Sequence, residues 1–269
     1  MPELPEVETT KNGLLPLLKH QMVTRAVRHR DNLRWEMPKL LETLLANQTM
    51  LDINRRGKYL LMRFEVGTLI IHLGMSGSIK VVDSSAALLK HDHFELIFEH
   101  GKSMRLNDPR RFGAVLFSKD GLHPLLDSLG VEPLEERFDE AYLYNKSRNK
   151  VQNIKTFIMN SKVVVGVGNI YACESLFASG IDPTRQAGSV SKKRYALLTQ
   201  HIKNILKKAI KAGGTTLQDF SQVDGTPGYF TQTLSVYGRE GEKCNHCSGK
   251  ISRLIQNQRS TFYCKNCQS

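Results

Sequence analysis

Met1-Pro2-Glu3-Leu4-Pro5-Glu6-Val7-Glu8 opens the chain, and the rest of the sequence is read outward from it. Pro5 has the fixed φ that suits the first turn of a helix, and Glu6 and Glu8 put carboxylates where the helix dipole favours them. The segment predicts a helix running to about Lys19. With Met1 removed, the chain would begin at the secondary amine of Pro2. A free α-amino group titrates near pH 8, about two units below lysine, so part of it is nucleophilic at neutral pH and can form imines. Glu3 stands beside it as a candidate general acid. A helix cap built of proline and glutamate accounts for the same residues without any chemistry, and these eight positions leave both readings open.

The 269 residues suffice for two modest domains, each with its own core. The 38 Lys and Arg against 26 Asp and Glu give a formal net charge of +12. That balance favours a polyanionic partner, most often nucleic acid, although a solvated basic face produces the same count. There is no run of eighteen apolar residues, and the acidic, Pro-rich start lacks the basic region of a signal peptide, so neither a membrane span nor secretion is expected. Four of the five cysteines fall in the last 26 residues. An odd count clustered this way argues for a reducing compartment and a metal rather than a disulfide framework.

After the first helix, short β-rich runs recur at Met22 to Val27, Thr49 to Arg55, Tyr59 to Phe64, Thr68 to Leu73, Ser78 to Val82, Phe94 to Glu99, Ser103 to Leu106 and Ala114 to Ser118, with a helical stretch near Lys39 to Ala46. Regular short strands separated by Gly, Asp and Pro indicate a β-sandwich. His123-Pro124, Gly130 and Glu132-Pro133 mark a linker to a helical second domain. There Asn169 is the expected N-cap of a helix from Ile170 to Ser179, which Gly180 and Pro183 terminate. Ile170, Cys173, Leu176 and Phe177 share one face of it, which makes Cys173 a small core residue. Glu174 lies on the flank of that face, and a carboxylate there requires a partner, such as a turn or a helix N-terminus. From Pro183 to Gln218 there are eight Lys or Arg and no acid, and an apolar stripe of Leu198, Ile202, Ile205, Leu206 and Ala209 predicts a helix ended by Gly213-Gly214.

The tail reads Cys244-x2-Cys247, sixteen residues, then Cys264-x2-Cys267. Each pair can hold one side of a tetrahedral ion from a tight turn, and the separation suits a β-hairpin, so one structural Zn²⁺ is expected on Cys244, Cys247, Cys264 and Cys267. Four thiolates leave no open position for catalysis. Four negative charges meeting two positive ones would lower the formal sum to about +10, which remains basic. Arg259 would sit near the hairpin tip, where a guanidinium can fork onto a phosphate.

Taken together, these pieces resemble one family over essentially the whole chain, the bacterial formamidopyrimidine-DNA glycosylases. The likeness rests on Pro2 to Glu6, Arg55-Arg56-Gly57-Lys58-Tyr59-Leu60, His72-Leu73-Gly74-Met75-Ser76-Gly77 and Lys90-His91-Asp92-His93. It continues through Asp108-Pro109-Arg110-Arg111-Phe112-Gly113, Gly166 to Tyr171, Asp224 to Phe230 and the finger's Gln258 to Cys264. The resemblance implies a multidomain α+β fold: an N-terminal catalytic β-sandwich with its helix (1–120), a linker (121–138), a helix-two-turns-helix domain (139–235) and a four-cysteine zinc finger (236–269). It implies base-excision repair of damaged double-stranded DNA by a cytoplasmic monomer, with excision of oxidised purines and then strand cleavage.

By the same resemblance Pro2 attacks the sugar C1′, Glu3 transfers protons on the sugar, and Lys58 and Arg259 serve further proton transfer and phosphate engagement. Met75, Arg110 and Phe112 match the set that fills the gap left by the extruded base. His91, Lys150 and Asn169 match DNA-backbone contacts, while Glu6 and Glu174 are supports. The Ser221 to Tyr229 loop aligns with the segment that encloses the flipped base. Two rivals remain at this point. One is the sister group acting on oxidised pyrimidines, which typically begins Pro-Glu-Gly-Pro-Glu where this chain has Leu4. The other is a non-catalytic zinc DNA-binding protein. The mechanism also requires removal of Met1, because an acylated Pro2 has no nucleophilic amine.

Overall fold

The computed structural model describes residues 2–215 and 234–269. Met1 and the Ser221 to Tyr229 loop lie outside the described residues. The chain divides into two compact units, one holding residues 2–127 and 212–215, the other 128–211 and 234–269.

In the first unit, α1 (Leu4–Leu18) starts where the sequence predicts, with Pro5 in its first turn and Glu3 extended at the N-cap. Glu6 Oε2 accepts the Glu3 N–H at 2.8 Å, satisfying a donor that the helix itself leaves orphaned. The helix buries Leu4, Val7, Leu14 and Leu18. The strands follow as β1 (Met22–Arg28), then a short α2 (Leu41–Leu45), β2 (Gln48–Thr49), β3 (Asp52–Arg56), β4 (Tyr59–Phe64) and β5 (Gly67–His72). β6 (Ser78–Asp83), β7 (Asp92–Phe98), β8 (Lys102–Asn107) and β9 (Ala114–Ser118) complete the set, and a single turn, α3 (Pro124–Asp127), ends this part of the chain.

These strands form two antiparallel sheets, ordered β2-β1-β7-β8-β6 and β3-β4-β5-β9. Apolar positions from both sheets, among them Val23, Phe94, Leu96 and Met104 from the first and Ile53, Leu60, Met62 and Ile71 from the second, join Val7, Leu14 and Leu18 in one core. Each fully buried side chain of this kind contributes about 1.5–3 kcal/mol by its removal from water. The run Thr49 to Arg55, expected as one strand, is split. Thr49 pairs in the five-stranded sheet and Asp52 opens β3 in the other, so Met50 and Leu51 carry the chain across the sandwich. The β3–β4 hairpin turns on Gly57-Lys58, with Gly57 at φ 57°, a left-handed conformation that glycine adopts without steric cost.

The second unit is helical. It comprises α4 (Glu140–Ser147), α5 (Ile154–Met159), α6 (Asn169–Ala178), a 3₁₀ turn at Ala187–Ser189 and α7 (Lys192–Lys211), followed by the hairpin β10 (Ile251–Gln256) and β11 (Arg259–Cys264). Asp139 caps α4 by accepting the Tyr142 N–H at 2.7 Å, and Asn153 caps α5 through Thr156 at 2.8 Å. α7 buries Tyr195, Leu198, Ile202, Leu206 and Ala209 and packs against α4 and α6. Gly213 and Gly214, at φ 75° and 82°, end it as the sequence predicts. Cys173 is 1% exposed inside the apolar cluster shared by α6 and the hairpin.

Asn169 corrects one expectation, because the cap of α6 is Gly168 and Asn169 is the first helical residue. As the first helical residue it no longer has the extended backbone of a cap: its Nδ2 donates to the Ser260 carbonyl at 2.9 Å, while its Oδ1, the atom a cap would use, accepts no hydrogen bond among the described residues.

Candidate functional site

In the first unit the amine end of α1 is held by its own acids. Pro2 and Glu3 are buried. Glu6, 2% exposed, accepts from Glu3 N with one oxygen and from Thr215 N and Oγ1 with the other, at 2.9 and 3.0 Å. One carboxylate thus fixes both the residue after Pro2 and the chain at Thr215. Two residues on, Glu8 Oε2 accepts from Arg55 Nε at 2.6 Å, and its other oxygen pairs with Lys11 at 2.5 Å. Burial works against ionisation of Glu8, but these two cations outweigh it and hold the carboxyl below the usual range. The Glu8–Arg55 pair ties α1 to β3, the strand that ends in the Lys58 turn.

His72 joins this group, and sequence reading missed it. Its register partner across the sheet is Tyr59, with ring centroids 4.8 Å apart, and its Nδ1 accepts the Gly74 N–H at 3.0 Å. Burial, reinforced by the positive charges of Lys58 and Arg34, lowers its pKa to about 4. At neutral pH the ring is uncharged and, with Nδ1 accepting, carries its proton on Nε2. Its place in the motif beginning His72-Leu73-Gly74 was the only available signal.

The expected wedge residues come together. Met75 is 36% exposed between buried neighbours, Phe112 is 45% exposed at the end of an exposed turn, and the Arg110 guanidinium lies 5.4 Å from the Phe112 ring centroid. The loops touch through their backbones: a Cβ on Gly74, at φ 66°, would fall 2.4 Å from Gly113 N and from the Phe112 carbonyl carbon. Large apolar side chains standing in water beside an arginine are costly unless something covers them. His91, half-buried, packs edge-on against His93 at 6.1 Å.

In the second unit Lys150 is exposed just after α4. Glu174 is 5% exposed and accepts three backbone N–H bonds, from Ser235, Val236 and Tyr237 at 2.8, 2.9 and 2.8 Å. The partner expected for it is therefore a turn. Arg259 is exposed directly after the hairpin tip, where Asn257 and Gln258 both adopt positive φ. It borders an open groove of about 250 Å³ with Lys155, Thr156, Asn160 and Asn257. Lys155, only 1% exposed, was also missed by sequence reading. Its ammonium donates to Thr261 Oγ1 at 2.7 Å and to the Ser260 carbonyl at 3.2 Å, tying α5 to β11.

The four Sγ atoms of Cys244, Cys247, Cys264 and Cys267 lie within 4.8 Å of one another, with Cys244–Cys267 at 3.9 Å and Cys247–Cys264 at 3.5 Å. A tetrahedral zinc with bonds of about 2.3 Å separates its sulfurs by about 3.8 Å, so the set fits one Zn²⁺. The thiols also need a cation. Burial opposes ionisation of Cys244, yet the His246 and Cys247 N–H groups bring it down to about 7. Burial and the neighbouring thiols push Cys267 up to about 12. Four thiolates coexist here only around a positive ion. Cys244, Cys247, Cys264 and Cys267 hold one structural zinc.

No helix among the described residues is long and apolar enough to cross a membrane. A family model for the formamidopyrimidine-DNA glycosylase N-terminal domain matches residues 1–115, one for the H2TH domain of the same enzymes matches 129–221, and one for a zinc finger found in FPG and IleRS matches 241–269. The chain is 71% identical, over 100% of both sequences, to a formamidopyrimidine-DNA glycosylase of Ruthia magnifica subsp. Calyptogena magnifica. Among solved structures it is similar to the MutM (FPG) protein of Thermus thermophilus, at 36% identity and a TM-score of 0.90, covering 99% of this chain and 98% of that one. A structure of MutM in complex with carbocyclic 8-oxo-G containing DNA matches at 32% identity and a TM-score of 0.92, with 100% of both chains covered.

Proposed function

Because the chain belongs to the formamidopyrimidine-DNA glycosylase family, we propose that it excises oxidised purines, 8-oxoguanine and formamidopyrimidines, from duplex DNA and then cleaves the strand. The observation that carries the reading is the start of α1: a buried Pro2, which becomes the amine terminus once Met1 is removed, followed at once by a buried Glu3 whose backbone is pinned by Glu6.

In this mechanism the lesion is extruded, since its C1′ is shielded while the base is stacked. The Pro2 nitrogen attacks C1′ and the base departs with a proton. The secondary amine becomes a positively charged iminium, an electron sink that acidifies the C2′ hydrogen and permits β- and then δ-elimination of the two flanking phosphates. Glu3 transfers protons on the opening sugar. Lys58 assists base release, its ammonium standing beside a His72 that stays neutral and so does not compete for the same anion. Arg259 engages a phosphate from the hairpin tip, where a guanidinium offers two parallel donors. Met75 and Phe112 occupy the vacated stack, and Arg110 donates to the orphaned cytosine. His91, Lys150 and Asn169 hold the DNA backbone. Glu6 and Glu174 act as supports through the hydrogen bonds given above. When bound, zinc supplies the fold of the hairpin that presents Arg259, and it has no open position for chemistry.

The functional parts of this reading are the catalytic sandwich (1–120), a linker (121–138), the helix-two-turns-helix domain (139–235) and the finger (236–269), working as a cytoplasmic monomer on damaged DNA. Base release from a duplex with 8-oxoguanine opposite cytosine, measured beside a thymine-glycol duplex, tests it. Release from the first alone is expected. Release from thymine glycol alone would assign the chain to pyrimidine lesions, and binding without release would leave a DNA-binding protein.

A further inference from the structure

Asp108 is fully buried at the end of β8, and every polar group of its residue is committed to a loop that carries an expected wedge or DNA-contact residue. Its Oδ1 accepts the Ser76 hydroxyl at 2.9 Å, and its Oδ2 accepts the Gly113 N–H at 2.8 Å. Ser76 Oγ in turn accepts the Arg110 N–H at 3.2 Å. The Asp108 carbonyl receives His93 Nε2 at 3.0 Å and the Arg111 N–H at 3.2 Å, and its own N–H donates to the His91 carbonyl at 2.9 Å. One residue thereby joins the Met75 loop, the Arg110–Phe112 turn and the His91–His93 segment.

The turn needs such a restraint. Arg111, between Arg110 and Phe112, sits at φ 58°, a left-handed conformation unfavourable for a side chain with a Cβ. Arg110, Arg111 and Phe112 are all exposed, so packing of their own side chains does not impose it. Polar hydrogen bonds in a dry environment do, because a buried donor left without its acceptor is costly.

We propose that Asp108 and Ser76 form a latch that makes the Met75 loop and the Arg110–Phe112 turn one rigid wedge, and that Asp108 is a positioning residue for lesion extrusion and for recognition of the opposite base. The proposal rests on the glycosylase reading above. A pre-organised wedge enters the stack without first ordering two loops, so the latch acts on extrusion from a duplex and not on chemistry at an abasic sugar that is already accessible.

The test compares Ser76→Ala, Asp108→Ala, the double variant and Ser76→Thr with the unmodified protein. Three rates are measured: base release from 8-oxoguanine opposite cytosine, the same lesion opposite adenine, and cleavage at a pre-formed abasic site in single-stranded DNA. For both alanine variants the first rate, as kcat/KM, is expected to fall about tenfold or more, with the preference for cytosine reduced. Single-strand cleavage is expected to stay within about twofold, Ser76→Thr to regain most of the loss, and the double variant to be no worse than Asp108→Ala. Duplex and single-strand rates falling together would overturn the latch in favour of a purely structural role, as would an unchanged duplex rate. If Asp108→Ala does not fold, Ser76→Ala and Ser76→Thr decide the question alone. An unmodified protein that releases no base but cleaves the abasic strand would refute the glycosylase reading and the latch with it; a failure of the latch alone leaves that protein active.

Discussion

Glu174→Ala removes the acceptor of three backbone N–H bonds at once, those of Ser235, Val236 and Tyr237. Val236 is fully buried, so its orphaned donor costs about 1–3 kcal/mol. Ser235 and Tyr237 are half-buried and water reaches them, which limits each to about 0.5–1 kcal/mol. Relief of the carboxylate's own desolvation trims the sum, leaving about 2–4 kcal/mol. The second unit has about 120 residues, and unfolding entropy of about 2.1 cal/mol/K per residue gives about 0.25 kcal/mol/K. The unit's melting midpoint should therefore fall by about 8–16 °C in calorimetry. Hydrogen exchange should localise the effect, with amides 235 to 237 losing protection while those of α6 keep theirs. Glu174→Gln, which retains one acceptor oxygen, should fall between. A midpoint within about 2 °C of the unmodified protein, with exchange at 235 to 237 unchanged, would refute the assignment of Glu174 as the anchor of that segment.

Two other expectations follow from the same geometry. Chelation of zinc should abolish exchange protection in Ile251–Gln256 and Arg259–Cys264 while leaving the fluorescence of Trp35, the single tryptophan and a member of the first unit, unchanged; protection that survives chelation would contradict a metal-dependent hairpin. For His72 the folded value of about 4 lies below the unfolded value of about 6.5, so the folded state binds fewer protons between them. Its contribution, at most about 3 kcal/mol, is present above pH 6.5 and is lost as the pH falls toward 4. Urea titrations at pH 7 and pH 4.5 should show a larger loss for the unmodified protein than for His72→Gln, and an NMR titration placing His72 near 6.5 would contradict it.

The sequence disclosed those features that depend on neighbours along the chain. Short β-rich runs broken by Gly, Asp and Pro located the strands, Pro5 and Gly213-Gly214 marked helix ends, and two Cys-x2-Cys pairs announced the metal. What it concealed depends on pairings across long separations. Thr49 to Arg55 looks continuous because nothing local records that the chain changes sheet at Met50 and Leu51. Asn169 has the composition of a cap, yet the helix starts one residue earlier, on Gly168, and the Asn169 Nδ2 donates to the Ser260 carbonyl ninety-one residues away. The pKa of His72 is lowered by burial and then by Lys58 and Arg34, and Lys155 is buried against Thr261, 106 residues distant. Asp108 enters the sequence reading only as the first residue of a motif, while its bond to Ser76 spans 32 positions. The wedge residues were found only through resemblance, since an isolated Met75 or Phe112 reads as core until its exposure is known.

The most direct test of the proposed chemistry is borohydride reduction during reaction with a duplex bearing 8-oxoguanine opposite cytosine, followed by peptide mass spectrometry of the adduct. The expected result is a covalent protein–DNA product attached at the Pro2 nitrogen, lost when Met1 is retained. An adduct mapped to Lys58, or strand cleavage with no adduct at Pro2, would contradict the account.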